Sequence, residues 1–538
     1  MALLVRNIAL GLEEPDEALA SKAARRLRLP VTAIRHWTAV RRSLDARDEK
    51  DIHFVYHLEL TLDGGRKAES SALRRARHPD VVPVRERDLP EPDAGSEPLA
   101  HRPVVIGFGP AGMFAALKLA EAGYRPVVYE RGQDVRRRHR DVLQRYYRQG
   151  EFDPESNLLY GEGGAGTYSD GKLYTRVSNP LVRRVLEVFR RFGADPEILV
   201  DAKPHIGSDR LPTLCRRLRL HLEELGGEVR FGSRLTDLGI AEGAVTAIEV
   251  NGEWVPASAV VLGIGHSARD TLRMLHARGV ALAAKPFQMG VRIEHPQEMV
   301  DRWQYGALAG HDRLPPAEYQ LVARSAAGEL GDLFSFCMCP GGLILPSNES
   351  PGLVATNGAS PSHRGGRFAN AGLVVTVPPE RIGADPLAGL AYQERWERLA
   401  FEAAGGGYQV PAQRAADFLR QRPSDGELEV SYPLGGCWTD LRRVIPEEVA
   451  RALKRGLRML TSRMRGFAGR NAIIVAPETR ASSPVRILRD PQSRQGTRTG
   501  GLYPVGEGAG YAGGIVSSAV DGINTAHAII ARYAPPRP

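Results

Sequence analysis

Short apolar runs alternate with stretches of helical spacing along much of the chain. PVVIGFG (103–109) is apolar and rich in β-branched residues, the composition of a strand buried on both faces. MFAALKLAEAG then has helical spacing and stops at Gly123, and RPVVYE predicts a second strand ending at Glu130. RLPTLCRRLRLHLEELGG (210–227) predicts an amphipathic helix, and EVRFGSRLTDL, AVTAIEVNG and EWVPASAVVLGIG predict strands up to residue 265. GLYPVGEGAGYAGGIVSSAVDGINTAHAII (501–530) predicts a strand, a glycine-rich turn and a long helix.

Residues 1–95 stand apart. LLVRNIAL, DEALASKAARRLRL, AIRHWTAVRRSLD and DIHFVYHLELTL read as strand, helix, strand and strand, a small α+β unit of ferredoxin-like pattern. HPDVVPVRERDLPEPDAGSEPLAHRP (78–103) is rich in proline and charge and reads as a linker. The texture changes again over 285–470, which contains FCMCPGGLILP and GLVATNGASPSHRGGRFANAGLVVTV and suggests an inserted α+β domain. The expected organisation is a small N-terminal domain (1–95), a Rossmann-like nucleotide domain in two parts (100–284 and 471–538), and the insertion (285–470) between them.

A chain of 538 residues can bury several cores, and 42% hydrophobic with 25% charged residues is ordinary for a globular protein. The first apolar run, in MALLVRNIALGLEEP, is too short for a secretory signal, and no stretch reaches the roughly 18 apolar residues of a membrane span, so a cytoplasmic protein is expected. Four scattered cysteines suit neither a disulfide framework nor a structural zinc site, and no metal is expected. Net charge is +9, and all but eight of the 72 basic residues are arginine. The arginines read as solvated faces; no nucleic-acid module accompanies them.

Chemistry begins at Gly107-Phe108-Gly109-Pro110-Ala111-Gly112, a G-x-G-x-x-G between strand and helix. The glycines let the backbone approach a pyrophosphate, and the helix N-terminus directs bare N–H groups at it. Glu130 closes the second strand where a carboxylate typically accepts ribose hydroxyls, which argues against a 2′-phosphate. This motif alone does not separate NAD from FAD. Gly161 to Gly171 packs further glycines densely, as around a flat ligand. Gly263-Ile264-Gly265-His266 is either a second dinucleotide turn or the turn that closes a single flavin domain; the missing acid after VALAAKPF favours the latter.

GFGPAGMFAALKLAEAG…VVYERG with YPVGEGAGYAGGIVSSAVDGI resembles the two-part FAD site of the glutathione-reductase-like flavoproteins. ERGQDVRRRHRDV, SNLLYGEGGAGTYSDGKL, KPHIGSDRL, GHSARD, SFCMCPGG and the ATNGAS…R…AN segment sharpen this. In that order they resemble the bacterial family of uncharacterised FAD-dependent dehydrogenases, over about residues 100–530. The resemblance implies that Gly107, Gly109, Pro110, Ala111 and Gly112 line the pyrophosphate, that Glu130 takes the ribose, and that Arg131 and Arg138 sit beside the adenosine and phosphates. It implies that Gly163, Gly164, Ala165, Gly166, Ser169, Asp170, Gly171 and Lys172 wrap the ribityl chain and ring. Gly506, Glu507, Gly508, Gly513, Gly514 and Ile515 would close the other end, with Gly265 in the intervening turn and the Leu235 backbone at the adenine. Phe108 and Ile264 depart from the family pattern, each replacing a smaller or more polar residue.

Four residues are candidates for catalysis. Cys337 and Cys339 are two apart, so on a strand both thiols would share a face; they read as a redox dithiol or as two small buried side chains. His205 and His266 are acid–base candidates or structural histidines. Lys172, Arg364 and Asn370 are candidates to orient an anionic or carbonyl substrate. The expected function is two-electron chemistry on a small molecule through FAD. NAD(P)H, a partner reductase and the substrate itself remain open as electron donors. Action on a nucleic-acid-bound substrate and a purely structural FAD are the alternatives.

Overall fold

The computed structural model describes residues 2–84, 89, 91–175 and 177–536. Its centre is a five-stranded parallel sheet in the order Leu502–Pro504, Val260–Leu262, Val104–Ile106, Val127–Tyr129, Glu228–Arg230. The inner strands are three apolar residues each and are buried, as a sheet covered on both faces requires. Helices Pro110–Glu121, Ile515–Arg532 and Leu211–Glu224 cover one face. The antiparallel sheet of Leu235–Ala241, Ala244–Val250 and Glu253–Pro256 packs on the other. The chain is therefore α/β with a Rossmann-like nucleotide-binding core.

Helix Pro110–Glu121 starts with proline at its first turn, where no N–H is needed. It lies against Ile515–Arg532 at unusually close range: a methyl group on Gly522 would stand 2.2 Å from the Ala111 carbonyl oxygen. Gly166 sits by both starts, near the Pro110 ring and the Ile515 side chain. The two helix N-termini therefore open beside each other.

A second sheet of seven strands runs Val322–Ala323, Leu333–Cys339, Phe368–Val377, Phe287–Pro296, Ile473–Glu478, Val410–Arg414, Gly436–Trp438. Phe287–Pro296 pairs along its whole length with Phe368–Val377, and helix Glu447–Arg463 packs behind. The expected boundary at 470 is misplaced. Ile473–Glu478 lies inside this sheet, paired with Phe287–Pro296, and the chain returns to the parallel sheet only at Leu502–Pro504. An apolar strand reads alike in either sheet, so periodicity carried no sign of the boundary.

The N-terminal sheet has the order Ile34–Asp45, His53–Leu62, Leu3–Gly11, Val81–Pro83, all antiparallel, with helices Ala18–Leu27 and Gly65–Ala76 contributing to its core. The proline-rich segment is not a plain linker. Its beginning, Val81–Pro83, is an edge strand, where proline is tolerated. Residues 85–88 and 90 of it lie outside the described residues. Its later part lies along the end of the C-terminal helix: Gly95 N donates to the Ile530 carbonyl at 2.8 Å and Glu97 accepts from Arg532 Nε at 2.7 Å. No helix among the described residues is long and apolar enough to cross a membrane.

Candidate cofactor and active site

One cavity of about 1280 Å³ lies between the parallel sheet, the two helix starts and the seven-stranded sheet. Gly107, Gly109, Pro110 and Ala111 line it at one helix start, and Gly513, Gly514 and Ile515 at the other. Glu130, Arg131 and Leu235 form one end. Gly164, Ala165, Gly166, Ser169, Asp170, Gly171 and Lys172 follow along a wall, with Gly265, His266, Gly506, Glu507 and Cys337 also lining it.

Several expected contacts lie behind the wall instead. Gly112 does not face the cavity; a methyl there would stand 2.0 Å from the Gly107 carbonyl oxygen, so glycine is needed for the turn itself. Gly163 and Gly508 are likewise packed against Thr167 and Gly265. Arg138 is fully buried and spends its guanidinium on the carbonyls of Asn157, Glu162 and Gly164, at 2.8, 2.9 and 2.9 Å. It holds the glycine loop in shape and does not line the cavity. Arg131 is placed at the cavity edge, flat on Tyr160 and paired with Glu155 and Asp270.

Glu130 has a double task. Oε2 accepts from Phe108 N at 2.7 Å, and Oε1 from Gly132 N and Gly161 N at 2.9 and 2.8 Å. A carboxylate has about four lone-pair directions, so it can still accept a hydroxyl from the cavity side.

Of the four catalytic candidates, only His266 and Cys337 reach the cavity. His205 lies beneath Lys172, its Nε2 at 3.0 Å from the Ser362 carbonyl oxygen, and burial lowers its pKa. Cys339 is fully buried behind Cys337. His266 is pushed down to about 3 by burial and by the Arg480 and Arg269 charges, and is a neutral imidazole at pH 7 with Nδ1 2.5 Å from Ser267 Oγ. It can hold a hydrogen bond there but is a poor proton acceptor. Arg364 and Asn370 also stand behind the wall. Arg364 pairs with Asp170 at 3.2 Å, and Asn370 accepts from Arg292 at 2.7 Å.

Lys172 is ion-paired with Asp170. Burial alone would discharge it, but the Cys339, Cys337 and Asp170 side chains outweigh this and raise its pKa. A fixed cation thus faces the cavity between the glycine loop and Cys337. Glu507 is pushed up to about 7 by burial, against the pull of Lys285. Its folded pKa lies above the ordinary 4.5, so its penalty on stability grows as pH rises from 4.5 and is complete only above about 7. Glu507→Gln is therefore expected to raise the melting temperature of ligand-free protein more at pH 8 than at pH 5. An equal change at both pH values, by scanning fluorimetry, would refute that titration.

The sequence reading missed Arg480, Tyr160 and the Arg41–Ser43 edge of the N-terminal sheet, all of which line the cavity. Arg480 follows the apolar strand IIVAPE and could have been suspected as a charge at a buried strand end. The position of Arg41 depends on how the N-terminal domain docks, which no local pattern encodes.

The cavity suits a dinucleotide with an aromatic ring. Two helix starts supply unpaired N–H groups for a diphosphate. Gly109 and Gly513 leave room where any larger residue would project: no atom lies within 3.8 Å of a methyl placed on the first, and none within 4 Å of one on the second. Arg480, whose Nη1 finds no protein acceptor, lines the same space.

Residues 286–481 match the family model described as FAD-dependent protein, C-terminal domain-like, and residues 3–61 match a domain of unknown function. A protein of Clostridium beijerinckii described only as uncharacterized is 40% identical over 540 residues, covering 100% of both chains. Among solved structures, glycine oxidase from Geobacillus kaustophilus is 11% identical, covering 81% of this chain and 96% of its own, with a TM-score of 0.35. L-proline dehydrogenase from P. horikoshii is 11% identical, covering 81% and 93%, with a TM-score of 0.35.

Proposed function

The chain belongs to a family of uncharacterised FAD-dependent proteins, and from that premise we propose that it is an oxidoreductase carrying out two-electron chemistry on a small molecule through FAD in this cavity. The observation that carries the reading is the continuity of one space from Glu130, past both helix starts, to Lys172 and Cys337. Bound there, FAD supplies the electron-pair acceptor and donor. The rest is the work of this chain. Backbone N–H groups of the two helix starts neutralise the diphosphate. Glu130 would hold the ribose through its one remaining lone-pair direction. Lys172, kept charged, favours negative charge at the ring end. His266 stays neutral and orients by hydrogen bonding. Arg131, stacked on Tyr160, covers the nucleotide end from solvent.

The test is spectroscopic. The purified protein should show a flavin absorption spectrum, and NADH or NADPH, added separately without oxygen, should bleach it if a nicotinamide is the donor. A flavin that stays oxidised with both moves the donor to the substrate or a partner reductase. A colourless protein that takes up no added FAD would end the reading.

A further inference from the structure

We propose that Cys337 and Cys339 form a thiol–disulfide pair that exchanges an electron pair with the flavin in this cavity. The inference rests on the FAD reading above and adds a second redox centre to it.

Cys337 lines the cavity and Cys339 sits behind it; neither is bonded to another cysteine. A regular strand would hold residues two apart on one face at fixed spacing. Here the register of Leu333–Cys339 against Phe368–Val377 slips between Phe336 and Cys339, and Cys337 has a φ of +43°. A residue with a side chain is strained in that region, and the strain needs bracing. Arg292 supplies it: the guanidinium donates to the Cys337 carbonyl at 3.2 Å and is itself fixed by Glu478 and Asn370. The bend turns Cys339 back on its neighbour, so that its Sγ meets the Cys337 carbonyl oxygen at 3.3 Å. The thiol that a strand would carry away is thus brought round to the first.

The charges around the pair favour a thiolate. Lys172 Nζ stands 3.7 Å from Cys339 Sγ, and the Arg292 guanidinium lies on the other side. The thiolate is favoured on Cys337, whose pKa is lowered by the neighbouring Cys339 thiol and by Lys172 and Arg292, while Cys339 is itself pushed well above the ordinary thiol value and stays protonated. Nucleophilic thiols sit in surroundings of this kind. The other cysteines do not. Burial pushes Cys215 up to about 12, and Cys437 lies on the edge strand Gly436–Trp438 at the opposite end of the seven-stranded sheet.

In the oxidising direction both S–H bonds break, one bond forms between Cys337 Sγ and Cys339 Sγ, and two electrons and two protons leave. FAD is the acceptor and takes both electrons and both protons. The reverse step cleaves the disulfide with the electron pair of the reduced flavin.

The FAD-loaded protein, titrated with dithionite without oxygen, should consume two more electrons per flavin than a Cys337→Ser/Cys339→Ser double variant. A second readout needs no variant. Residues 325–364 form one tryptic peptide holding both cysteines. From air-oxidised holoprotein it should resist alkylation and weigh two hydrogens less; after reduction it should accept two alkyl groups. Equal electron uptake by wild type and variant, with two free thiols in the oxidised peptide, would overturn the proposal and leave the FAD reading standing. A protein that holds no flavin would overturn both.

Discussion

Gly112→Ala is expected to yield a colourless protein of lowered melting temperature. The added methyl would stand 2.0 Å from the Gly107 carbonyl oxygen and 3.2 Å from Val105 Cγ1, where neither backbone nor sheet can yield. Forcing extra volume into a packed site costs about 1–3 kcal/mol, and here the displaced atoms are the nucleotide turn itself. Gly109→Ala makes the comparison informative. Its φ is −77°, which alanine accepts, and the nearest atom to its methyl is Gly164 Cα at 3.8 Å. The methyl therefore projects into space meant for ligand. This variant should keep the melting temperature of the flavin-free protein while losing bound flavin. If Gly112→Ala retains both flavin and stability, the turn is not the rigid element described above.

The second large effect is expected at Glu397. Its carboxylate is fully buried and accepts from Arg269 Nη1 and Nη2 at 2.9 and 3.0 Å, from Arg480 Nε and Nη2 at 2.8 and 2.7 Å, and from Thr479 Oγ1 at 2.5 Å. Burial opposes its charge, but the two arginines outweigh this and hold its pKa at about 2. Arg269 opens helix Arg269–Ala277 on the parallel-sheet domain, whereas Glu397 lies on Ala388–Ala403 over the large sheet, so the cluster joins the two. Glu397→Ala would leave two buried guanidinium groups with Glu349, and for Arg269 also Glu394 at 3.7 Å, as their remaining carboxylates. Removing one partner of a buried ion pair costs about 3–5 kcal/mol. Denaturant unfolding should show a loss of that order. Because the folded pKa is depressed, the stabilisation is complete above the ordinary carboxylate range and lost as pH falls towards 2, so the difference between wild type and variant should shrink in acid. A variant within about 1 kcal/mol of wild type at neutral pH, or a difference indifferent to pH, would contradict the arrangement.

The nucleotide core was legible because each part is local. The strand before Gly107, the helix after Gly109 and the acid at Glu130 are neighbours in sequence, and hydrophobic period and glycine spacing report them directly. Glu130 shows where legibility ends. That it closes the second strand is readable; that it also accepts from Gly161 N depends on a loop 31 residues away. The resemblance put Arg138 beside the adenosine and phosphates, but burial and three carbonyl partners make it a brace of the glycine loop. The cysteines were placed on one face by assuming a regular strand; the slip before Cys339 breaks that alternation, so their relative position was not legible. Arg480 and Arg41 reach the cavity only through the docking of whole domains.

The closing wall of the cavity comes from a part of the chain far from the first nucleotide turn. Leu502–Pro504 adds the outermost strand to the parallel sheet, and Gly513, Gly514 and Ile515 bring the second helix start to the cavity. The two-ended site is therefore completed only by this distant segment, and a product interrupted before residue 500 would carry the first nucleotide turn, all four cysteines and most of both large sheets, yet lack the second helix start.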